Sequence, residues 1–118
     1  MIIVKGGVTT PKGFSASGLA AGIKSSGKRD LGLLYSKGLA VAAGAFTANR
    51  FQASPIRVSR LNLRNKTHQA IIVNSGNANC ANGKAGDRNA SLMANLAARA
   101  LGLKDKEVLV ASTGIIGK

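Results

Sequence analysis

Short apolar runs, separated by polar and glycine-containing breaks, predict six β-strands along the chain. The residues in these runs are small or β-branched, and Gly or Lys-Gly pairs interrupt them. The predicted strands are residues 2–4, 14–23, 29–36, 39–47, 69–74 and 108–112. No repeat with a period of 20–50 residues is visible, so a solenoid or propeller is not expected.

Two segments carry helical patterns instead. Ser54 followed by Pro55 is typical of an N-cap and a first helical residue, which predicts a short helix ending near Leu61. A second helix is predicted to begin with Asp87 as its cap and to end at Gly102. Its apolar positions at helical spacing are Ala90, Met93, Ala94, Ala97 and Leu101. Several strands with two helices predict a layered α+β domain, without an internal boundary over residues 1–118.

Composition limits the class of protein further. Hydrophobic residues make up 45% of the 118 residues, and with three Phe, one Tyr and no Trp the core must be aliphatic. No run approaches the ~18 apolar residues of a membrane span. The start, MIIVKGGVTTPKG, has the pattern of neither a secretory signal nor a transit peptide. A single Cys excludes an internal disulfide framework and fits a reducing compartment, so a cytoplasmic location is expected.

The charge is strongly positive, with 17 Lys and Arg against four Asp and Glu, or +13 in all. Such a balance is typical of nucleic-acid-binding proteins. The basic residues are dispersed, however, and aromatic residues that could stack on bases are almost absent. A basic nucleic-acid-binding module therefore stays a minor alternative. A solvated basic face, or a longer protein whose remainder is acidic, also explains the charge.

The stretch NSGNANCANG, residues 74–83, follows a predicted strand and precedes a predicted helix, where a P-loop would lie. Six residues separate Gly76 from Gly83 instead of four, and Ala85 stands where the motif needs a hydroxyl, which excludes a P-loop. Asn side chains bond to nearby backbone groups and tolerate left-handed conformations. The four Asn are therefore predicted to brace an irregular loop between strand and helix.

Cys80 is a candidate nucleophile only if a base lies beside it, and His68 is the sole histidine. No third member of a catalytic set is suggested by the spacing. We expect Cys80 to be a small buried hydrophobe and His68 to be a surface loop residue. One Cys, one His and four scattered carboxylates do not make a metal site.

The segment VLVASTGIIGK, residues 108–118, is the second candidate site. Here an apolar run leads into Ser-Thr-Gly, whose backbone N–H and hydroxyl groups are little shielded. Oxyanion holes are built from such donors, although Ser-Thr-Gly is also an ordinary turn.

Five segments together resemble the ornithine acetyltransferase (glutamate N-acetyltransferase) family of arginine biosynthesis. They follow in order over almost the whole chain: GGVTTPKGFSASGLAAGIK, DLGLL, AGAFTANRFQASPIRVSR, IIVNSGNAN and EVLVASTGIIG. The resemblance implies a fold of the aminopeptidase/ornithine-acetyltransferase type, an N-terminal-nucleophile-hydrolase-like sandwich of sheets between helices, of which this chain would be the N-terminal portion.

The resemblance also implies a reaction. In this family the precursor cuts itself before a Thr, which heads the resulting β chain and takes the acetyl group from N-acetylornithine before passing it to glutamate. Bifunctional members use acetyl-CoA as a second acetyl donor, and no bound cofactor or metal is implied. The implied partners are the β chain and the two small-molecule substrates in an α2β2 heterotetramer, with no nucleic acid and no membrane.

Only one pair of family site residues matches positions in this chain. Thr113, through its hydroxyl, and Gly114, through its backbone N–H, correspond to the family's oxyanion positions. The nucleophilic Thr and most substrate-binding residues lie downstream of STGIIG in the family, so the chain is expected to be part of an α chain and inactive by itself. A related self-processing aminopeptidase of the same fold is the main alternative.

Overall fold

A mixed four-stranded sheet with two helices makes up the described part of the protein. The computed structural model describes residue 3 and residues 5–118. The strands are β1 (Phe14–Leu19), β2 (Leu31–Ala40), β3 (His68–Asn77) and β4 (Val108–Ile115). The helices are α1 (Ser54–Asn62) and α2 (Gly83–Leu101), and a 3₁₀ turn at Asp105–Glu107 precedes β4. The predicted strand at residues 2–4 lies outside the described residues, except for Ile3.

The sheet follows the order of the chain, β1-β2-β3-β4. β1 pairs antiparallel with β2, and β2 pairs antiparallel with β3. β3 and β4 are parallel, which requires a crossover connection, and α2 provides it. As a result, the carboxyl ends of β3 and β4 lie side by side at one edge of the molecule.

The core lies between the helices and one face of this sheet. Ala94, Ala97 and Ala98 of α2 pack on Val108 and Val110 of β4. Small side chains on the helix let its backbone approach the sheet closely, and Ala98 is 0% exposed. The predicted aliphatic core is confirmed, as is an α+β architecture.

Strand boundaries differ from the sequence prediction where long-range pairing overrides local signals. The pair Lys37-Gly38 was expected to end one strand, but β2 continues through it to Ala40. An irregularity in the β2–β3 register between Tyr35 and Ala40 absorbs these residues as a bulge. The prediction of a separate strand at residues 39–47 is wrong, because residues 41–49 have no regular secondary structure. β1 ends at Leu19, four residues earlier than predicted.

Both predicted helices exist, but their caps differ from the prediction. Ala53 is the N-cap of α1, and Ser54 is its first residue, 3% exposed. α2 begins at Gly83, one turn before Asp87, and its C-cap is Gly102 in the left-handed conformation, as glycine permits. Asp87 is not the cap but forms an ion pair with Arg57 of α1. No helix in the described ranges is both long and apolar enough to cross a membrane.

Candidate functional site

Parallel pairing carries both β3 and β4 further than the apolar runs that begin them. The register continues from Asn74 opposite Ser112 to Asn77 opposite Ile115. The first half of the asparagine stretch is therefore strand, which corrects the prediction that all four Asn lie in a loop. The residues that the sequence marked as candidate chemistry, Thr113 and Gly114, lie on β4 next to this extension.

Two glycines allow these strand ends to meet. Gly76 and Gly114 are directly opposite each other, with φ of 117° and 130°, in the range that glycine adopts without strain. A Cβ atom on Gly114 would lie 2.4 Å from the carbonyl carbon of Gly76 and 2.6 Å from the nitrogen of Asn77. Any other residue at position 114 would force the strands apart, so glycine there has a structural reason besides any chemical one.

Thr113 lies on the wall of an open groove at these strand ends. Ser75 of β3 is its partner in the register, and both alternate away from the helix-packed face. The groove is formed by residues 23–26, the ends of β3 and β4, and Lys118, and its volume is about 410 Å³. Thr113 and Gly114 are both exposed to it. Thr113 is thus placed where a ligand can reach its hydroxyl.

The loop between β1 and β2 forms the opposite wall, and Asp30 holds that loop in place. The Asp30 carboxylate accepts hydrogen bonds from the backbone nitrogens of Ala21, at 2.6 Å, and Lys24, at 2.8 Å. The backbone oxygen of Asp30 accepts from the nitrogen of Ser75 at 2.8 Å. The hydrogen bonds from Lys24 and Ala21 lower the pKa of Asp30 below its ordinary value, because they favour the charged carboxylate. A buried, ionised side chain therefore ties this loop to β3 beside the groove.

The later part of the asparagine stretch forms the predicted brace. Asn79 has φ of 47° and donates through its side chain to the oxygen of Gly86 at 2.8 Å. Its backbone nitrogen donates to the side-chain oxygen of Asn77 at 2.7 Å. The Asn77 and Asn82 amides donate to the backbone oxygen of Lys118, at 2.8 and 2.7 Å. These bonds fix the turn between β3 and α2 and hold the segment after β4 against it.

Cys80 and His68 are too far apart to act together. They flank opposite ends of β3, whose ten residues span about 30 Å. Cys80 is buried and free, as predicted. The prediction for His68 is wrong: it is the first residue of β3, is 4% exposed, and its Nε2 donates to the oxygen of Asn62 at 3.0 Å. The Cys–His nucleophile is excluded.

The described residues contain no group of three or more His, Cys, Asp and Glu side chains able to hold a metal ion. Hydroxyl, amide and ammonium groups surround the strand ends instead. The site's chemistry therefore rests on hydrogen-bond donors and positive charge, which suit a ligand with oxygen acceptors.

Sequence reasoning missed Lys24 and Asp30. Both lie in a loop whose contacts with β3 depend on tertiary folding. A usable signal was present, since Asp30 is the only acidic residue among the first 66. A single carboxylate after a glycine- and serine-rich loop is well suited to accept that loop's backbone N–H groups.

Comparisons with known proteins agree with this geometry. The model of the ArgJ family matches residues 15–118. An arginine biosynthesis bifunctional protein ArgJ from Gloeobacter violaceus is 53% identical over 97% of this chain and 28% of its own length. The corresponding protein from Dehalococcoides mccartyi is 47% identical over 98% of this chain and 29% of its own.

Two solved structures have the same fold. ArgJ from Bacillus halodurans superposes with a TM-score of 0.92 at 38% identity, covering 96% of this chain and 59% of the other. The ornithine acetyltransferase of Mycobacterium tuberculosis, solved in complex with ornithine, also superposes with a TM-score of 0.92. It is 42% identical, and the match covers 95% of this chain and 61% of the other. The predicted fold type is confirmed.

The chain spans a little over a quarter of the length of the curated relatives that it matches. The family model nevertheless covers most of the chain, and it includes the strand ends, the asparagine stretch and the groove. Matches of this extent favour the family resemblance over the aminopeptidase and nucleic-acid-binding alternatives. The chain belongs to the ArgJ family.

Proposed function

We propose that this chain is the N-terminal, α-chain part of an ornithine acetyltransferase. The enzyme transfers the acetyl group of N-acetylornithine to glutamate in arginine biosynthesis, in the cytoplasm. The observation that carries the proposal is the match to the ArgJ family over residues 15–118, which includes the groove at the ends of β3 and β4. The relatives are named bifunctional proteins, and acetyl-CoA as a second acetyl donor is part of this proposal.

The nucleophile in this proposal is a Thr at the head of the β chain, released when the precursor cuts itself. Its hydroxyl oxygen attacks the acetyl carbon of N-acetylornithine, and its own α-amine accepts the hydroxyl proton. The amide C–N bond then breaks, and ornithine leaves with a proton on its nitrogen. The resulting acetyl ester is attacked by the amine of glutamate, which regenerates the Thr hydroxyl. Two α and two β chains form the assembly.

Thr113 and Gly114 serve in this reaction as the oxyanion hole. Each attack places negative charge on the acetyl oxygen, and fixed donors stabilise that charge more than they stabilise the neutral carbonyl. The Thr113 hydroxyl is exposed to the groove, and pairing with β3 holds the backbone at Gly114.

Replacing Thr113 by Ala in the full-length protein that carries this segment tests the assignment. Loss of one oxyanion donor typically lowers kcat by about 10²–10³-fold. We expect a decrease of that size in ornithine release, while the affinity for N-acetylornithine changes little. Steady-state kinetics with N-acetylornithine and glutamate measure both quantities.

Thr113→Ser is the matched control, because it keeps the hydroxyl and should retain most of the activity. Thermal melting of all three proteins separates a catalytic loss from a folding loss. If Thr113→Ala lowered Tm but left kcat near the wild-type value, Ser-Thr-Gly would be a structural turn and the assignment would be wrong.

A further inference from the structure

We propose that Lys24 is a substrate-binding residue, which holds the α-carboxylate of the N-acyl amino acid in the groove beside Thr113. The inference rests on the proposed function, since it names a contact for that substrate. It assigns a binding role to the loop between β1 and β2, which the oxyanion assignment leaves without one.

The charges of the groove select an anionic ligand. Two of its lining residues, Lys24 and Lys118, carry positive charge, and no lining residue is acidic. The nearest carboxylate behind the wall is Asp30, which is 3% exposed and already accepts backbone hydrogen bonds. A carboxylate entering the groove therefore meets ammonium and hydroxyl groups without a competing fixed anion.

Lys24 lies directly over the strand ends. Its Cγ is 3.0 Å from the position that a Cβ atom on Gly76 would occupy, so the side-chain stem packs on the glycine. Gly76 pairs with Gly114, which places the stem next to the oxyanion residues. Lys24 is only partly exposed and lines the groove, so its stem is restricted while a long side chain of this kind can keep its charged end in solvent.

Asp30 is the positioning residue for Lys24. It accepts the backbone N–H of Lys24 at 2.8 Å, and its own backbone oxygen accepts from Ser75, the partner of Thr113 in the register. These two bonds link the lysine through a single buried residue to β3, the strand that pairs with the oxyanion strand β4. The ammonium group is therefore presented to the groove from a fixed backbone, as substrate-orienting groups require.

The chemistry of the substrate fits this arrangement. An N-acyl amino acid carries its α-carboxylate on the carbon that bears the acylated nitrogen, two bonds from the amide nitrogen. If the acyl carbonyl lies at Thr113, the carboxylate therefore lies only a few ångströms from Thr113. Lys24 is on the opposite wall of the same groove. A charge-assisted contact between ammonium and carboxylate is stronger than a neutral hydrogen bond.

The test compares N-acetylornithine with its α-carboxamide, in which the negative charge is removed, using the full-length protein that carries this segment. Wild-type protein should prefer the carboxylate by about 10- to 100-fold in kcat/KM. Lys24→Met should lose most of this preference, through a higher KM for the carboxylate and little change for the carboxamide. Because the preference is a ratio within one protein, it does not depend on the fraction of active enzyme.

Lys28→Met is the matched control, since Lys28 is exposed on the same loop and does not line the groove; it should keep the wild-type preference. Lys24→Arg, which retains the charge, should keep most of it, and Lys24→Gln should behave like Lys24→Met. An unchanged preference in active Lys24→Met and Lys24→Gln overturns the inference. Wild-type protein inactive on both substrates would contradict the proposed function, and this inference with it.

Discussion

At the level of single residues, Asp30 links the loop after β1 to the groove at the ends of β3 and β4. Its carboxylate is buried, accepts two backbone N–H groups, and lies behind the wall that presents Lys24. Burial of a carboxylate is tolerated because these donors replace the water that it loses. One residue thereby connects the stability of the loop with the geometry of the site.

Asp30 should make stability depend on acid pH. Its pKa is lowered in the folded protein, chiefly by the backbone N–H of Lys24, so its contribution is fully present above the unfolded pKa of about 4. That contribution is lost as the pH falls through the lower folded pKa. We expect Asp30→Asn to lower Tm by several degrees at pH 7, and the difference from wild type to shrink below about pH 4.

Thermal melts of both proteins between pH 7 and pH 2 measure this effect. Asp105→Asn, at an exposed carboxylate that accepts from Asn95, is the control and should change Tm less at pH 7. A Tm difference for Asp30→Asn that stayed constant down to pH 2 would show that the carboxylate's charge does not stabilise the loop.

At the level of elements, the parallel pair of β3 and β4 depends on how closely α2 packs against it. The helix presents alanines to the sheet, and Ala98 lies in the same cluster as Val108 and Val110. This close contact fixes where β4 runs, and therefore where Thr113 lies relative to β3. A larger side chain in this layer would push the helix away from the strands.

Ala98→Leu should therefore destabilise the protein by about 1–3 kcal/mol, because three added carbon atoms enter a fully buried site. The matched control is Ala100→Leu, an exposed position in the same last turn, where the change should be within about 0.5 kcal/mol. Urea unfolding of the two variants beside wild type compares them directly. Equal stability of both variants would mean that the helix–sheet contact is not tightly packed.

At the level of the whole molecule, the protein combines a strong positive charge with an open groove at the strand ends. Its four acidic side chains are all engaged locally: Asp30 and Glu107 accept backbone N–H groups, Asp87 pairs with Arg57, and Asp105 accepts from Asn95. The net charge of +13 already includes these four carboxylates. Basic charge of this kind attracts anionic ligands, and the proposed substrates are small carboxylates.

The 118-residue chain alone should not transfer acetyl groups. It contains the proposed oxyanion residues but not the Thr nucleophile on which the proposed reaction depends. We expect no release of ornithine from N-acetylornithine in the presence of glutamate, measured with the purified chain at micromolar concentration, and turnover by the full-length protein under the same conditions. Turnover by the isolated chain would contradict the assignment of the nucleophile to a second chain.

Local sequence patterns were sufficient for the parts of the fold that depend on neighbours along the chain. Short runs of small and β-branched residues located the four described strands, helical spacing located α2, and Ser-Pro located α1 to within one residue. Composition predicted the aliphatic core, and the order of the sequence motifs indicated the family. These features could be predicted because the hydrophobicity and the secondary-structure propensity of each residue are local properties of the sequence.

Tertiary contacts decided the rest. β2 runs through Lys37-Gly38, and β3 and β4 extend to Asn77 and Ile115, because hydrogen bonding to a neighbouring strand outweighs the local preference of Gly and Asn for turns. His68 is buried at the start of β3, where its Nε2 donates to the backbone oxygen of Asn62 at the end of α1, and the Asp30 carboxylate accepts the backbone N–H of Lys24 within the loop between β1 and β2. The strand pairings join residues distant along the chain, and no local pattern specifies them, whereas the bonds of His68 to Asn62 and of Lys24 to Asp30 each span only six residues.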